Sequence, residues 1–112
     1  MKWLLGIVVV SAVLALPAVA AAYEGWHWTV PTAQQTIKRQ GIEWSNQSGR
    51  DVVTRAQCVG IGVPWEDDGV VRFARFRCLV NAINPDGLKE RYFARIVVTG
   101  KHSFVARFLG FV

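Results

Sequence analysis

Residues 73–80 read FARFRCLV, and side chains of opposite character alternate along them. Arg75 and Arg77 take odd-numbered positions, whereas Phe76 and Cys78 take even-numbered ones. Successive side chains of a β-strand point to opposite faces of a sheet, so this alternation predicts a strand with one apolar face and one basic face. The same parity can then be followed into the neighbouring segments of the chain.

Three further segments have the composition of strands, and turn residues separate them. Segments 52–59, 73–80, 91–99 and 104–109 are rich in Val, Ile, Phe and Cys. Their apolar residues lie mostly at even-numbered positions, which we expect to face the core. These are Val52, Ala56 and Cys58, then Ala74, Phe76, Cys78 and Val80, then Tyr92, Ala94, Ile96 and Val98, then Phe104, Ala106 and Phe108.

The turn at residues 84–87, NPDG, tests whether these faces agree. It suits a type I turn followed by a left-handed glycine, which is the three-residue hairpin with a bulge. That loop pairs Asn84 with Leu88, and it therefore places Cys78 opposite Ala94. Even-numbered residues then lie opposite even-numbered residues, as a shared inner face requires.

The first hairpin allows two registers. A tight tip at residues 64–69 would place Cys58 opposite Arg75, too far along the strand from Cys78 for a bridge without a bulge. A longer loop, about 64–72, places Cys58 opposite Cys78 and leaves Gly60 and Gly62 in or near the strand. We prefer the second register.

The last turn also has two solutions. A two-residue turn at Gly100 and Lys101 would point Val105, Arg107 and Leu109 inward. A three-residue loop points Phe104 and Phe108 inward instead. We prefer the three-residue loop because it buries more aromatic surface and leaves the arginine outside.

One helix precedes the strands, over residues 32–40. Thr29 or Thr32 can cap it, Pro31 suits its first turn, and Gly41 is a plausible stop. The predicted fold is therefore α+β, with one short N-terminal helix packed on a four-stranded antiparallel β-meander.

The N-terminus has the pattern of a secretory signal peptide, residues 1–22. Lys2 precedes an apolar run at 3–16, then Pro17 and the small residues 18–22, which permit cleavage after Ala20 or Ala22. A retained membrane anchor is the alternative, but the run is shorter than the ~20 residues that span a bilayer. We predict a secreted or periplasmic protein, a single domain over 23–112, with no membrane span after cleavage.

Export determines how the two cysteines are interpreted. An even number of cysteines in a small secreted domain indicates a disulfide, so we predict a structural bridge between Cys58 and Cys78. With 112 residues the chain is long enough for one small domain, which excludes a multidomain enzyme.

The formal net charge is +5, and arginines gather at the odd-numbered positions of the predicted strands. Guanidinium groups bind phosphate, sulfate and carboxylate, and exposed rings stack on bases or sugars, so we predict a face that binds a polyanion or an envelope component. The alternatives are a solvated sheet face and a contact with a second subunit. The candidate anion-binding residues are Arg55, Arg75, Arg77, Arg91, Arg95 and Arg107, and Phe73 and Phe93 accompany them.

A second aromatic feature is the strap Trp26-His27-Trp28. Trp26 and Trp28 are candidates for contact with a sugar, a peptide or a membrane surface. The alternative is that both tryptophans pack on the core and leave His27 exposed. This strap, or the loop at 64–72, could serve a protein-interaction module, either inhibitor-like or a subunit, which is the alternative function.

Catalytic and metal-binding patterns are weak, so we predict a non-catalytic protein without cofactor or metal. The run Glu66-Asp67-Asp68-Gly69 matches no calcium-loop spacing and is typical of a solvated hairpin tip. Ser103 directly follows His102, but neighbours in sequence do not make a catalytic triad.

The string CVGIG at residues 58–62, followed by FRC at 76–78, resembles small bacterial exported proteins of unassigned function. Those proteins have a signal peptide, a helix and a cysteine-bridged antiparallel sheet. The resemblance implies the bridge between Cys58 and Cys78 and transfers no activity. The layout is also similar to β-lactamase-inhibitor and protease-propeptide modules at the level of the fold.

Overall fold

The computed structural model describes residues 25–112, so the predicted signal peptide, residues 1–22, lies outside the described residues. Within these described residues, one helix, α1, is followed by seven strands. Strands β1, β2, β5, β6 and β7 form an antiparallel sheet in that order, and β3 and β4 form a separate two-stranded ribbon. The elements are α1 Val30–Gln40, β1 Ile42–Glu43, β2 Arg50–Ile61, β3 Trp65–Asp67, β4 Val70–Arg72, β5 Arg75–Ile83, β6 Lys89–Val98 and β7 Phe104–Phe111.

The α+β class and the antiparallel sheet are confirmed, but the four-stranded meander was too simple. The two residues of β1 pair with the start of β2 and add a fifth strand. The loop predicted over 64–72 folds back on itself as the β3–β4 ribbon. Cys58 lies opposite Cys78, and Cys78 lies opposite Ala94, so both preferred registers are correct.

Helix α1 begins two residues earlier than predicted because Thr29 caps it. The backbone N–H of Thr32 donates to Thr29 Oγ1 at 3.3 Å, and Pro31 lies in the first turn. Gly41 ends the helix with φ +74°, and its N–H donates to the carbonyl of Ile37. The helix buries Ala33, Thr36 and Ile37 against the inner face of the sheet, where it packs on β2.

The even-number rule holds along β5 and β6 but fails at the start of β2. Val52 is 62% exposed, whereas Val53 is only 3% exposed. A bulge between Val53 and Arg55 inserts an extra residue, Thr54, and reverses the parity on its N-terminal side. The prediction that Val52 faces the core was therefore wrong, while Ala56 and Cys58 point inward as expected.

The three-residue loop after β6 is confirmed, since Val98 lies opposite Phe104 and Thr99 N–H donates to the Ser103 carbonyl. Phe108 lies opposite Ala94 on the inner face but is 44% exposed, because β7 is the edge strand of the sheet. Its ring packs at 6.0 Å from Trp44 and 5.8 Å from Tyr92.

The buried carboxylate of Asp51 organises this aromatic end of the core. Asp51 is 1% exposed and accepts hydrogen bonds from Trp44 Nε1 at 2.9 Å, Gln47 Nε2 at 2.9 Å and the Tyr92 hydroxyl at 2.8 Å. A buried carboxylate is tolerated when its oxygens are hydrogen-bonded, and here three donors meet it. Asp51 thereby ties β2, the loop between β1 and β2, and β6 together.

The same cluster predicts a loss of stability in alkali. Burial raises the pKa of Tyr92 far above its usual range, and the hydrogen bond to Asp51 and the charge of that carboxylate raise it further. In the unfolded chain tyrosine titrates near pH ~10. Below pH ~10 the protein has the full stability that this pKa shift supplies. Above pH ~10 the free energy of unfolding should fall by roughly 1.4 kcal/mol per pH unit, because only the unfolded chain releases the proton.

Urea unfolding at pH 9, 10 and 11 measures this loss. Tyr92→Phe should lack this part of the pH dependence while keeping the contribution of every other group. An equal slope for Tyr92→Phe and the parent would contradict the assignment to Tyr92.

Candidate functional site

The outer face of the sheet, opposite α1, carries the predicted arginines. Arg55 lies on β2, Arg75 and Arg77 on β5, Arg91 and Arg95 on β6, and Arg107 on β7, and all six are exposed. We call these six residues the arginine face. The structure therefore brings together every anion-binding candidate that the sequence predicts.

Three of these arginines lie directly opposite one another. Arg77 pairs with Arg95, and Arg95 pairs with Arg107, across three adjacent strands. We call them the arginine row. Side chains that lie directly opposite have their Cβ atoms ~5 Å apart, and like charges in that position destabilise a sheet. The repulsion within the arginine row therefore lowers the stability of the folded protein.

No carboxylate that the structure describes on the outer face, within residues 25–112, offsets this charge. None of the outward-pointing positions of β2, β5, β6 and β7 between Arg55 and Arg107 is acidic. Within residues 25–112 the ion pair that forms is between Arg50 and Glu43, at 3.2 Å, and neither residue belongs to the arginine face. An external anion would therefore meet guanidinium groups that have no acidic partner on this surface.

Phe93 is the aromatic residue that does lie on this face. It pairs with Leu79 on β5 and is half-buried, and the guanidinium carbon of Arg77 lies 5.2 Å from the centre of its ring. A cation over an aromatic ring is attracted by the electrons of that ring. This contact holds the side chain of Arg77 over the sheet and leaves the neighbouring Arg95 and Arg107 without such support from Phe93.

The placement of Phe73 on the outer face was wrong. Phe73 precedes β5 and pairs with Trp28, so the parity of the strand does not extend to it. Its ring packs on the inner side, 5.9 Å from Phe76 and directly over Gly60, where a side chain on the glycine would overlap the ring. Phe73 therefore belongs to the edge of the core.

The two tryptophans of the strap have opposite environments. Trp28 is 4% exposed, exchanges backbone hydrogen bonds with Phe73 and donates from Nε1 to the Lys101 carbonyl at 3.1 Å, so it packs in the core. Trp26 is 54% exposed, which contradicts the alternative in which both tryptophans pack on the core. His27 is half-buried, and its ring lies 5.3 Å from that of Trp65.

Trp26, His27, Trp65 and Arg72 border an open cleft of about 350 Å³. Trp65 and Arg72 lie directly opposite each other on the β3–β4 ribbon, so the ribbon forms one wall of this cleft. The exposed carboxylates of Glu66, Asp67 and Asp68 occupy the tip of the same ribbon. Within residues 25–112, no three Asp, Glu, His or Cys side chains are grouped in a way that could hold a metal ion.

The disulfide between Cys58 and Cys78 is present and lies on the inner face beneath the arginine face. The Cα atoms of the two cysteines are 4.1 Å apart, on directly opposed residues of β2 and β5. The N–H of Cys58 points away from β5 and donates to Gln34 Oε1 of α1 at 2.9 Å. The bridge fixes β2 to β5, the strand that carries Arg75 and Arg77, and the helix holds β2 in turn.

Comparison of the chain with protein-family models, with curated proteins and with solved structures finds no match. Nor does the part of the chain that the structure describes contain a helix long and apolar enough to cross a membrane. The resemblance to small bacterial exported proteins stays a prediction.

Proposed function

We propose that this chain is an exported, non-catalytic binding module that holds an anionic polymer of the cell envelope or the extracellular space on its arginine face. The observation that carries the proposal is the arginine row, in which Arg77, Arg95 and Arg107 lie opposite one another. Such a row costs stability in the free protein and lowers the energy of a bound polyanion.

The geometry favours a polymer over a small ligand. The arginine face extends over four strands of an open sheet, about 4.8 Å apart, rather than enclosing a cavity. A surface of this kind contacts successive charges of a chain, as sulfated sugars or phosphodiesters supply them. Guanidinium forks suit both groups because they donate two parallel hydrogen bonds to neighbouring oxygens.

Export is part of the proposal and has two supports. The N-terminal residues have the pattern of a signal peptide, and the disulfide between Cys58 and Cys78 is compatible with an oxidising compartment. In the periplasm or outside the cell the protein would meet phosphate-bearing and carboxylate-bearing envelope polymers.

Heparin chromatography with a salt gradient tests the proposal, because heparin is a soluble polymer of closely spaced sulfates and carboxylates. The full chain is expressed, recovered in oxidised form and compared with a face variant, Arg77→Gln, Arg95→Gln and Arg107→Gln. The parent should elute late and the face variant early. The slope of log affinity against log salt should become shallower by roughly two to three units.

A cleft variant, Arg39→Gln, Arg72→Gln and Lys101→Gln, provides the matched control. It also loses three positive charges, but at sites outside the arginine face. If both variants eluted alike, the arginine face would hold the polymer no better than cations elsewhere on the protein and would have no special role. Early elution of the parent would also contradict the proposal. It would favour the open cleft beside the exposed Trp26 as a protein-binding surface.

A further inference from the structure

A second group of cations lies away from the arginine face, where the strap, α1, β4 and the β6–β7 turn meet. These elements border an open cleft of about 300 Å³. That volume corresponds to roughly ten water molecules, which is ample for a small anion. We call it the basic cleft after its charged and imidazole-bearing residues, His27, Arg39, Arg72, Lys101 and His102.

The walls of the basic cleft are fixed by hydrogen bonds to the backbone. Trp28 N–H donates to the Phe73 carbonyl at 2.9 Å and its carbonyl accepts from Phe73 N–H at 2.8 Å, which anchors the strap beside Arg72. Trp28 Nε1 donates to the carbonyl of Lys101 at 3.1 Å, and Gln40 Nε2 donates to that of His102. The turn that carries Lys101 and His102 is therefore held from two sides.

The charge in the basic cleft is of one sign. Arg39, Arg72 and Lys101 contribute three permanent cations, and none of the residues within 25–112 that line the cleft is acidic. The Arg50–Glu43 ion pair, the one formed within residues 25–112, involves no residue of this cleft. Gathering three cations around a shared space raises their mutual repulsion, which a bound anion would relieve.

We propose that the basic cleft binds a terminal phosphate group, as inorganic phosphate or a phosphomonoester carries it. A phosphomonoester has a charge of about −1.5 to −2 at neutral pH and three acceptor oxygens, whereas a carboxylate has a single charge that would leave most of the cations uncompensated. Thr29 and Thr32 also line the cleft, and because the Thr29 hydroxyl donates to Thr32 Oγ1 at 2.9 Å, the Thr32 hydroxyl is the one that can donate to an anion. The arginine face and the basic cleft are thus separate anion sites with different ligands.

Thermal unfolding with inorganic phosphate as the probe tests the site. Phosphate and acetate are added to the oxidised full chain against sodium chloride of equal ionic strength. Phosphate at tenfold its dissociation constant should raise the Tm by about 5 °C or more, and acetate should raise it much less. The cleft variant should lose this rise, and the face variant should keep it.

Single substitutions keep the test informative if the triple cleft variant folds poorly. Arg39 and Lys101 are exposed, so Arg39→Gln and Lys101→Gln should fold normally. Each should weaken phosphate binding about three- to tenfold. Equal stabilisation by phosphate in the parent and in both single variants would overturn the proposal, as would a parent that responds no more to phosphate than to chloride.

Two further probes separate the sources of the phosphate group. Methyl phosphate represents a soluble phosphomonoester, and phosphatidylcholine vesicles with phosphatidic acid represent a lipid headgroup. Binding to either that falls in the cleft variant and persists in the face variant supports the site and assigns its source. Binding that falls in the face variant alone would place these ligands on the arginine face and contradict the proposal.

Discussion

Replacing Asp51 with alanine is expected to lower the free energy of unfolding by about 3–5 kcal/mol. The carboxylate accepts hydrogen bonds from Trp44, Gln47 and Tyr92, and it is almost fully buried. Its removal leaves the Tyr92 hydroxyl and the Trp44 indole N–H without their acceptor inside the core. A domain of this size is stable by about 5–15 kcal/mol, so the loss is a large part of the total.

Asp51→Asn is the matched control because it keeps the shape and one acceptor oxygen. Its amide group brings donors toward donors, so we expect a smaller loss of about 1–2 kcal/mol. Urea unfolding followed by tryptophan fluorescence measures both variants, and the m-value should not change. A loss of less than about 1 kcal/mol for Asp51→Ala would show that water replaces the carboxylate and that the cluster does not anchor this end of the core.

Local patterns were sufficient to predict the centre of the sheet. Along β5 and β6 inward-pointing and outward-pointing residues alternate regularly, and the NPDG turn has one favoured geometry. The pairing of Cys78 with Ala94 therefore follows from counting residues outward from the turn. Once that register is set, the direct opposition of Arg77 and Arg95 follows as well. The sequence therefore predicts the arginine row wherever the strands are regular.

Bulges are the reason that the rest of the sheet was less predictable. Thr54 is the extra residue in β2, and its hydroxyl donates to the Asn81 carbonyl at 3.1 Å. Nothing in its residue type distinguishes it from a regular strand residue, so Val52 was assigned to the wrong face. A second irregularity between Phe93 and Ala94 leaves Leu109 unpaired and turns Phe111 toward Tyr92.

The basic cleft had no signal in the sequence at all. Its residues come from the strap, α1, β4 and the β6–β7 turn, and no spacing connects them. They meet because Trp28 pairs with Phe73 and also reaches the carbonyl of Lys101, two long-range contacts that a short pattern does not encode. The arginine face was predictable because a single periodic rule places all of its members on one side.

Replacing Arg95 with glutamate is expected to stabilise the free protein while reducing its affinity for a polyanion about 100-fold or more. Arg95 is the centre of the row, with Arg77 on one side and Arg107 on the other. A carboxylate there converts two like-charge pairs, Arg77–Arg95 and Arg95–Arg107, into two pairs of opposite charge. Each such pair contributes about 0.2–1 kcal/mol, so stability should rise by roughly 0.5–2 kcal/mol. Binding falls because a cation that meets the polymer becomes an anion that repels it.

A binding face differs from a merely solvated one in that this substitution raises stability and lowers polyanion affinity at the same time. Arg39→Glu on α1 makes the same change of net charge outside the arginine face and should reduce heparin affinity only slightly. Urea unfolding and heparin affinity are measured on both variants in the same buffer, at ~0.1 M salt or below, where surface charges are least screened. If Arg95→Glu stabilised the protein and left heparin affinity equal to that of Arg39→Glu, the arginine row would lower stability without contributing to binding. If affinity collapsed only for Arg95→Glu, the row would be kept at the expense of stability because it binds.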